Sequence, residues 1–156
     1  MHPPILETLR EHWPDLAACA ARAAALAAKP ALREALIELQ GPLGAGKTTF
    51  TRHLLRALGV AGRIKSPSYA VVEPYELASG PAWHFDFYRF TREREWEDAG
   101  FRDIFAGPGL KLVEWAENAG ETMPVPDLRI VLEPLADEAR RVTTHAYTAR
   151  GLELLA

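Results

Sequence analysis

The most specific chemistry in the chain sits in eight consecutive residues, Gly41-Pro42-Leu43-Gly44-Ala45-Gly46-Lys47-Thr48. They fit G-x-x-x-x-G-K-S/T, the loop pattern that wraps a phosphate chain. Such a loop must curl tightly enough to aim several backbone N–H groups inward, and glycine permits that without steric cost. The helix expected to open near Lys47 turns its positive end toward the phosphates. Lys47 adds a full charge for the β- and γ-phosphates, and the Thr48 hydroxyl is a ligand for Mg²⁺. By composition alone the pattern arises in about one chain of this length in 200. The flanking sequence therefore has to decide. It does: the apolar run ALIELQ (Ala35 to Gln40) precedes the loop, and TTFTRHLLRALG follows it. A strand leading in and a helix leading out is the context the motif requires.

A phosphate loop of this kind also needs an acid at the end of a neighbouring strand, to hold the metal's coordination shell. Two residues qualify, Glu114 after the apolar run LKLV and Asp86 within WHFDFYR. Glu114 is preferred, because mostly apolar residues lead directly into it. Ser66, Ser68 and Tyr69 lie in a Pro67-pinned loop after the expected helix. A loop in that place either senses a γ-phosphate or is an ordinary turn. His84 reads as a base or as a packed strand histidine, and the aromatics Trp83, Phe85, Phe87 and Tyr88 read as core.

The elements that must position these residues follow from pattern. Asp15 caps a helix that runs through DLAACAARAAALAAK and stops before Pro30. In the helix after the loop, Phe50, Leu54, Leu55 and Leu58 share one face, with Gly59 as the C-terminal cap. YAVVEPYEL and PAWHFDFYRF are neighbouring strands across the turn residues Ser79, Gly80 and Pro81. TREREWEDAG is expected as a charged helix capped by Thr91. Leu110 to Trp115, DLRIVLEPL and RRVTTHAYT are further strands, the last two joined by a polar turn around Asp137. The expected architecture is α/β: one P-loop NTPase-like domain over residues 1–156, a central mixed β-sheet flanked by helices, and residues 1–12 as a flexible lead-in.

Composition narrows the function classes. The chain has 156 residues, 48% of them hydrophobic and 25% charged, ordinary for a globular domain. A net charge of −3 argues against a chain that grips nucleic acid unaided. Cys19 is the single cysteine, so neither an intrachain disulfide nor a cysteine zinc site is available. No stretch is long and apolar enough for a membrane helix. The cytoplasm is the expected compartment, without a membrane partner.

Taken together, GPLGAGKTTFTRHLLRALG, KSPSY, VEPYEL, HFDFYR and LVEW resemble, in order and spacing, the bacterial TsaE (YjeE) family, over about residues 13 to 145. The resemblance implies a small cytoplasmic ATPase that uses ATP and Mg²⁺. It implies two partner proteins, TsaD and TsaB, with tRNA reached only through the complex. TsaD would transfer threonylcarbamoyl to N6 of the adenosine next to the anticodon, and the ATP cycle of the present chain would support turnover. On this resemblance Gly44, Ala45, Gly46, Lys47, Thr48 and Thr49 bind nucleotide, and Thr48 and Glu114 hold the metal. Lys47, Asp86 and Glu114 form the catalytic set, with Asp86 positioning water or the metal shell. Ser66 to Tyr69 form a switch-like loop, with Ser68 where the family often has Thr. Trp115 is an aromatic beside the acid. Trp13 is placed to stack on the base, and Arg140 or Arg141 lies by the nucleotide, Arg140 preferred. The alternative is a small P-loop kinase acting on a metabolite, with the Arg-containing segment TREREWEDAGFRD as its lid. A GTPase is disfavoured, because N-K-x-D and D-x-x-G are missing from the sequence.

Overall fold

In the computed structural model, residues 3–67, 69–91, 95 and 100–156 are described. Seven strands form one mixed sheet: β1 (Glu7–Trp13), β2 (Leu36–Gln40), β3 (Val72–Leu77), β4 (Gly80–Asp86), β5 (Leu110–Glu114), β6 (Leu128–Pro134) and β7 (Arg140–Ala146). Their order across the sheet is β1-β7-β6-β2-β5-β4-β3. The middle strands β6, β2, β5 and β4 run parallel, and the pairs at either edge are antiparallel. Burial follows this placement. LKLVE of β5 is buried at every position, as expected of a parallel strand covered on both faces. VEPYEL of the edge strand β3 is nowhere fully buried.

Helices α1 (Leu16–Ala27) and α2 (Lys47–Ala57) pack on one face of the sheet. The Asp15 carboxylate accepts from Ala18 N at 3.0 Å and fixes where α1 begins. Phe50, Leu54 and Leu55 of α2 are almost wholly buried against Ile37, Leu39, Leu112 and Ile130. Each such side chain contributes about 1.5–3 kcal/mol. Gly59, at φ 102°, takes the left-handed turn that ends this helical segment. The opposite face carries Leu36, Phe85, Phe87 and Val113, covered by Ala116, Ala119 and the Phe101–Phe105 segment around the short helix α3 (Arg102–Ala106). A last helix, α4 (Ala149–Leu155), begins at Thr148. The Thr148 hydroxyl accepts from Gly151 N and donates to Asp127, whose other oxygen accepts Leu36 N. Helix α4 is thereby tied to the start of β2.

Residues 7–12 are not a flexible lead-in: β1 pairs with β7 through seven residue pairs, from Glu7↔Ala146 to Trp13↔Arg140. An edge strand exposed on one side carries charge on both faces, so ETLREHW shows too little alternation to be read as a strand. The helix expected at TREREWEDAG falls largely outside the described residues, as does Ser68.

Candidate functional site

Parallel strands present their carboxyl ends on one side of the sheet, and loops there are the natural place for a ligand. At that end β2 leaves through Gln40 into the loop 41–46. Gly41 stands at φ 155°, and a β-carbon there would come within 2.6 Å of the Leu132 carbonyl oxygen. Gly46, at φ 104°, is the residue before α2, so the first free N–H groups of that helix face into the loop. Lys47, 5% exposed, donates to the Gly41 carbonyl at 2.5 Å. Its ammonium also lies 3.7 Å over the Trp115 ring. Burial pushes the Lys47 pKa down, while Glu114, Glu117 and Asp86 hold it up.

The two candidate acids come from adjacent strands in register: Asp86 on β4 pairs with Glu114 on β5. Glu114, 2% exposed, accepts the Thr48 hydroxyl at 3.0 and 3.2 Å. It also accepts an imidazole bond from His84 at 2.6 Å. Asp86 accepts Tyr88 N at 2.9 Å. Burial raises the Asp86 carboxyl above its ordinary value, the charge on Glu114 raises it further, and the Tyr88 N–H opposes both. The main chain of Asp86 is bonded to Val71, whose φ is 72°. A β-branched residue rarely adopts that conformation, and here it ends the loop that carries Ser66 and Tyr69.

Gly44, Gly46, Lys47, Thr48, Thr49, Asp86, Glu114, Trp115 and Arg140 line one cleft of about 260 Å³. Ala45 is buried behind it. A second hollow, of about 150 Å³, adjoins it through Gly46, Thr49 and Arg140, and is walled by Trp13, Leu16, Cys19 and Leu132. Trp13 is 3% exposed and one ring face is taken by Phe50, stacked at 5.7 Å. It therefore forms part of the hollow's wall and is not an open stacking platform. Of the two arginines, Arg140 is at the loop, donating to the Ala45 carbonyl at 2.6 Å; Arg141 points away to Glu133. Ser66 is exposed and is not among the residues lining either space.

The sequence pattern leaves His84 open between a base and a packed strand histidine, and it gives Trp115 no contact with the loop. An H-x-D spacing on a strand was the available signal for His84, since i and i+2 share a face. Leu43, 67% exposed, and Tyr69, 86% exposed, also stand out near the loop, with Tyr69 under Arg89 at 4.5 Å.

Among the described residues no cluster of three or more His, Cys, Asp or Glu could hold a metal alone. A P-loop magnesium does not need one, because one hydroxyl, one carboxylate, water and phosphate oxygens complete its shell. Thr48 and Glu114, already 3.0 Å apart, fit that donor set.

Comparison with known proteins agrees with this geometry. Residues 13–142 match the family model described as threonylcarbamoyl adenosine biosynthesis protein TsaE. The tRNA threonylcarbamoyladenosine biosynthesis protein TsaE of Haemophilus influenzae is 38% identical over 120 residues, covering 77% of this chain and 75% of that protein. The protein of the same name from Bacillus subtilis is 39% identical over 116 residues, covering 74% and 70%. The crystal structure of Bacillus subtilis YdiB superposes with a TM-score of 0.76 at 29% identity, over 96% of this chain and 92% of that one.

Proposed function

The chain belongs to the threonylcarbamoyl adenosine biosynthesis protein TsaE family, and we propose that it is the ATP-binding and ATP-hydrolysing subunit of that pathway's machinery. In this reading it works in the cytoplasm with TsaD and TsaB homologues. It supports their turnover in forming N6-threonylcarbamoyladenosine next to the anticodon, and meets tRNA only through them. The observation that carries the proposal is the Thr48–Glu114 hydrogen bond at the foot of the phosphate loop, with Asp86 in register beside it.

Each residue has a role that follows from its place. The loop amides and the start of α2 bind the phosphates. Lys47 exchanges the Gly41 carbonyl for phosphate oxygens, while the Trp115 ring keeps its amine in the cleft. Thr48 and Glu114 would hold Mg²⁺, which neutralises charge on the β- and γ-phosphates when bound. Asp86, a carboxylate with raised proton affinity, accepts a hydrogen bond from the attacking water and orients it. The hollow between Trp13, Cys19 and Leu132 takes the base, and Arg140 braces the loop beneath it.

Among the described residues, the arginines beside the cleft are engaged. Arg140 bonds the loop backbone, and Arg89 lies on Tyr69. A P-loop enzyme without an arginine directed at the transferring phosphoryl group hydrolyses slowly, so the isolated chain is expected to be slow and the complex faster. Phosphate release, measured with and without the TsaD and TsaB homologues, tests this. Stimulation by the pair supports the proposal, whereas phosphate appearing on a small metabolite instead of in solution would make the chain a kinase.

A further inference from the structure

His84 is wholly buried on β4, two residues before Asp86 and on the same face of the sheet. Its Nε2 lies 2.6 Å from Glu114 Oε2. Its Nδ1 is buried without a hydrogen-bond partner among the described residues. Leaving a buried polar atom unmatched is costly, and a leucine or phenylalanine would pack there without that penalty. Among the described residues, the bond to Glu114 is the one hydrogen bond that accounts for a histidine at this position. A carboxylate can only accept, so the proton belongs on Nε2.

Glu114 needs such a partner. Oε2 takes both His84 and the Thr48 hydroxyl at 3.0 Å, and Oε1 receives only the longer Thr48 contact at 3.2 Å. The flexible Glu114 side chain shares its pocket with Lys47, whose charge it attracts. Yet the Lys47 amine bonds Gly41 and sits on Trp115. Something must keep the carboxylate from swinging onto that amine, because an ion pair between them would remove the phosphate-binding charge and the metal-binding oxygen together.

We propose that His84 is a positioning residue for the metal site: its Nε2–H pins Glu114 Oε2, holds the carboxylate off Lys47 and turns Oε1 toward the metal position. This rests on the reading of Glu114 and Thr48 as the magnesium-holding pair. Partners of this kind, one step behind a ligand, typically set metal affinity by about 10–100-fold.

Glutamine and asparagine separate a positioning role from a packing role. The amide nitrogen of H84Q occupies the place of Nε2 and reaches Glu114, whereas that of H84N occupies the place of Nδ1 and does not. Mn²⁺ is titrated by calorimetry into each protein saturated with a non-hydrolysable ATP analogue, and analogue affinity is measured separately without metal. The expected result is Mn²⁺ affinity near wild type in H84Q, about 10–100-fold weaker in H84N, and metal-free analogue affinity alike in both. Equal Mn²⁺ affinity in the two variants overturns the proposal. Thr48→Val is the control for the underlying reading: undiminished Mn²⁺ affinity there removes the metal site itself, and the role of His84 with it. Imidazole ¹⁵N spectra of the metal-free wild type give a measurement that needs no variant to fold. A proton on Nε2 with Nδ1 bare is expected; a proton on Nδ1 alone refutes the proposal.

Discussion

Glu114→Gln separates the cost of folding from the demands of function more sharply than any other substitution at this site. The side-chain shape is kept, but one acceptor oxygen becomes an NH₂ donor. In the wild type two donors converge on the carboxylate, Thr48 Oγ1 and His84 Nε2. Each bond to a charged acceptor is worth about 1.5–3 kcal/mol. In the amide one of them becomes a neutral bond worth about 1 kcal/mol, and the other donor faces the NH₂ group, at a penalty of about 1–3 kcal/mol. Against this, the buried carboxylate no longer has to be desolvated, which relieves several kcal/mol, and its repulsion with in-register Asp86 ends. The terms oppose each other and are similar in size, so the urea unfolding free energy should move by less than about 2 kcal/mol. Function has no such compensation: a neutral amide is a poor Mg²⁺ ligand. Outer-shell partners alone change metal affinity by up to about 100-fold, and loss of a ligand should cost at least as much, so the Mg²⁺ concentration needed for hydrolysis should rise at least about 100-fold, or about 2.7 kcal/mol. Urea denaturation, nucleotide affinity without metal and the Mg²⁺ dependence of phosphate release form the assay. An unchanged Mg²⁺ requirement refutes the reasoning. So does a stability loss of about 3–5 kcal/mol, the signature of a broken buried ion pair and of a purely structural Glu114.

Other predictions concern the frame around the site. Glu38 is buried on β2 beside Arg129, and burial raises its carboxyl above the ordinary value, with Arg129 opposing. An acid with a raised folded-state pKa contributes stability below its unfolded value and loses it as pH rises through the folded one. Glu38→Gln should therefore gain stability relative to wild type between a pH below the glutamate range and neutral pH; a pH-independent difference in urea midpoints argues against this. Gly41→Ala should cost more stability than Gly44→Ala. A β-carbon on Gly41 meets a carbonyl oxygen at 2.6 Å and one on Gly44 meets nothing, leaving Gly44→Ala only the left-handed strain of about 1–2 kcal/mol; equal melting temperatures contradict the difference. Deleting residues 1–13 removes β1 and Trp13 and should abolish cooperative unfolding, whereas a truncated chain with the original melting temperature would show that β1 is dispensable.

The loop and Glu114 were legible in the sequence, because each sits where an apolar run gives way to a glycine run or a carboxylate; Asp86, inside the aromatic run WHFDFYR, was legible only as a second candidate acid. The order β2, loop, α2 and the hairpin β3–β4 were legible for the same reason. Strand β1 was not, since its pairing with β7 is fixed by a partner more than a hundred residues away and not by its own alternation. Trp13 illustrates a different limit. Its type suited a base-stacking role, but helix α2 offers Phe50 to the same ring face. His84 illustrates a third, because an isolated histidine on a strand gains a role only when the neighbouring strand's register, and hence Glu114, is known.

The most direct test of the account is ATP hydrolysis by the purified chain with Mg²⁺, alone and with its TsaD and TsaB homologues, wild type beside Lys47→Ala. The account predicts slow phosphate release by the wild type, acceleration by the pair, and loss of both rates in Lys47→Ala. Equal rates in wild type and Lys47→Ala, or a wild-type rate indifferent to the pair, would contradict it.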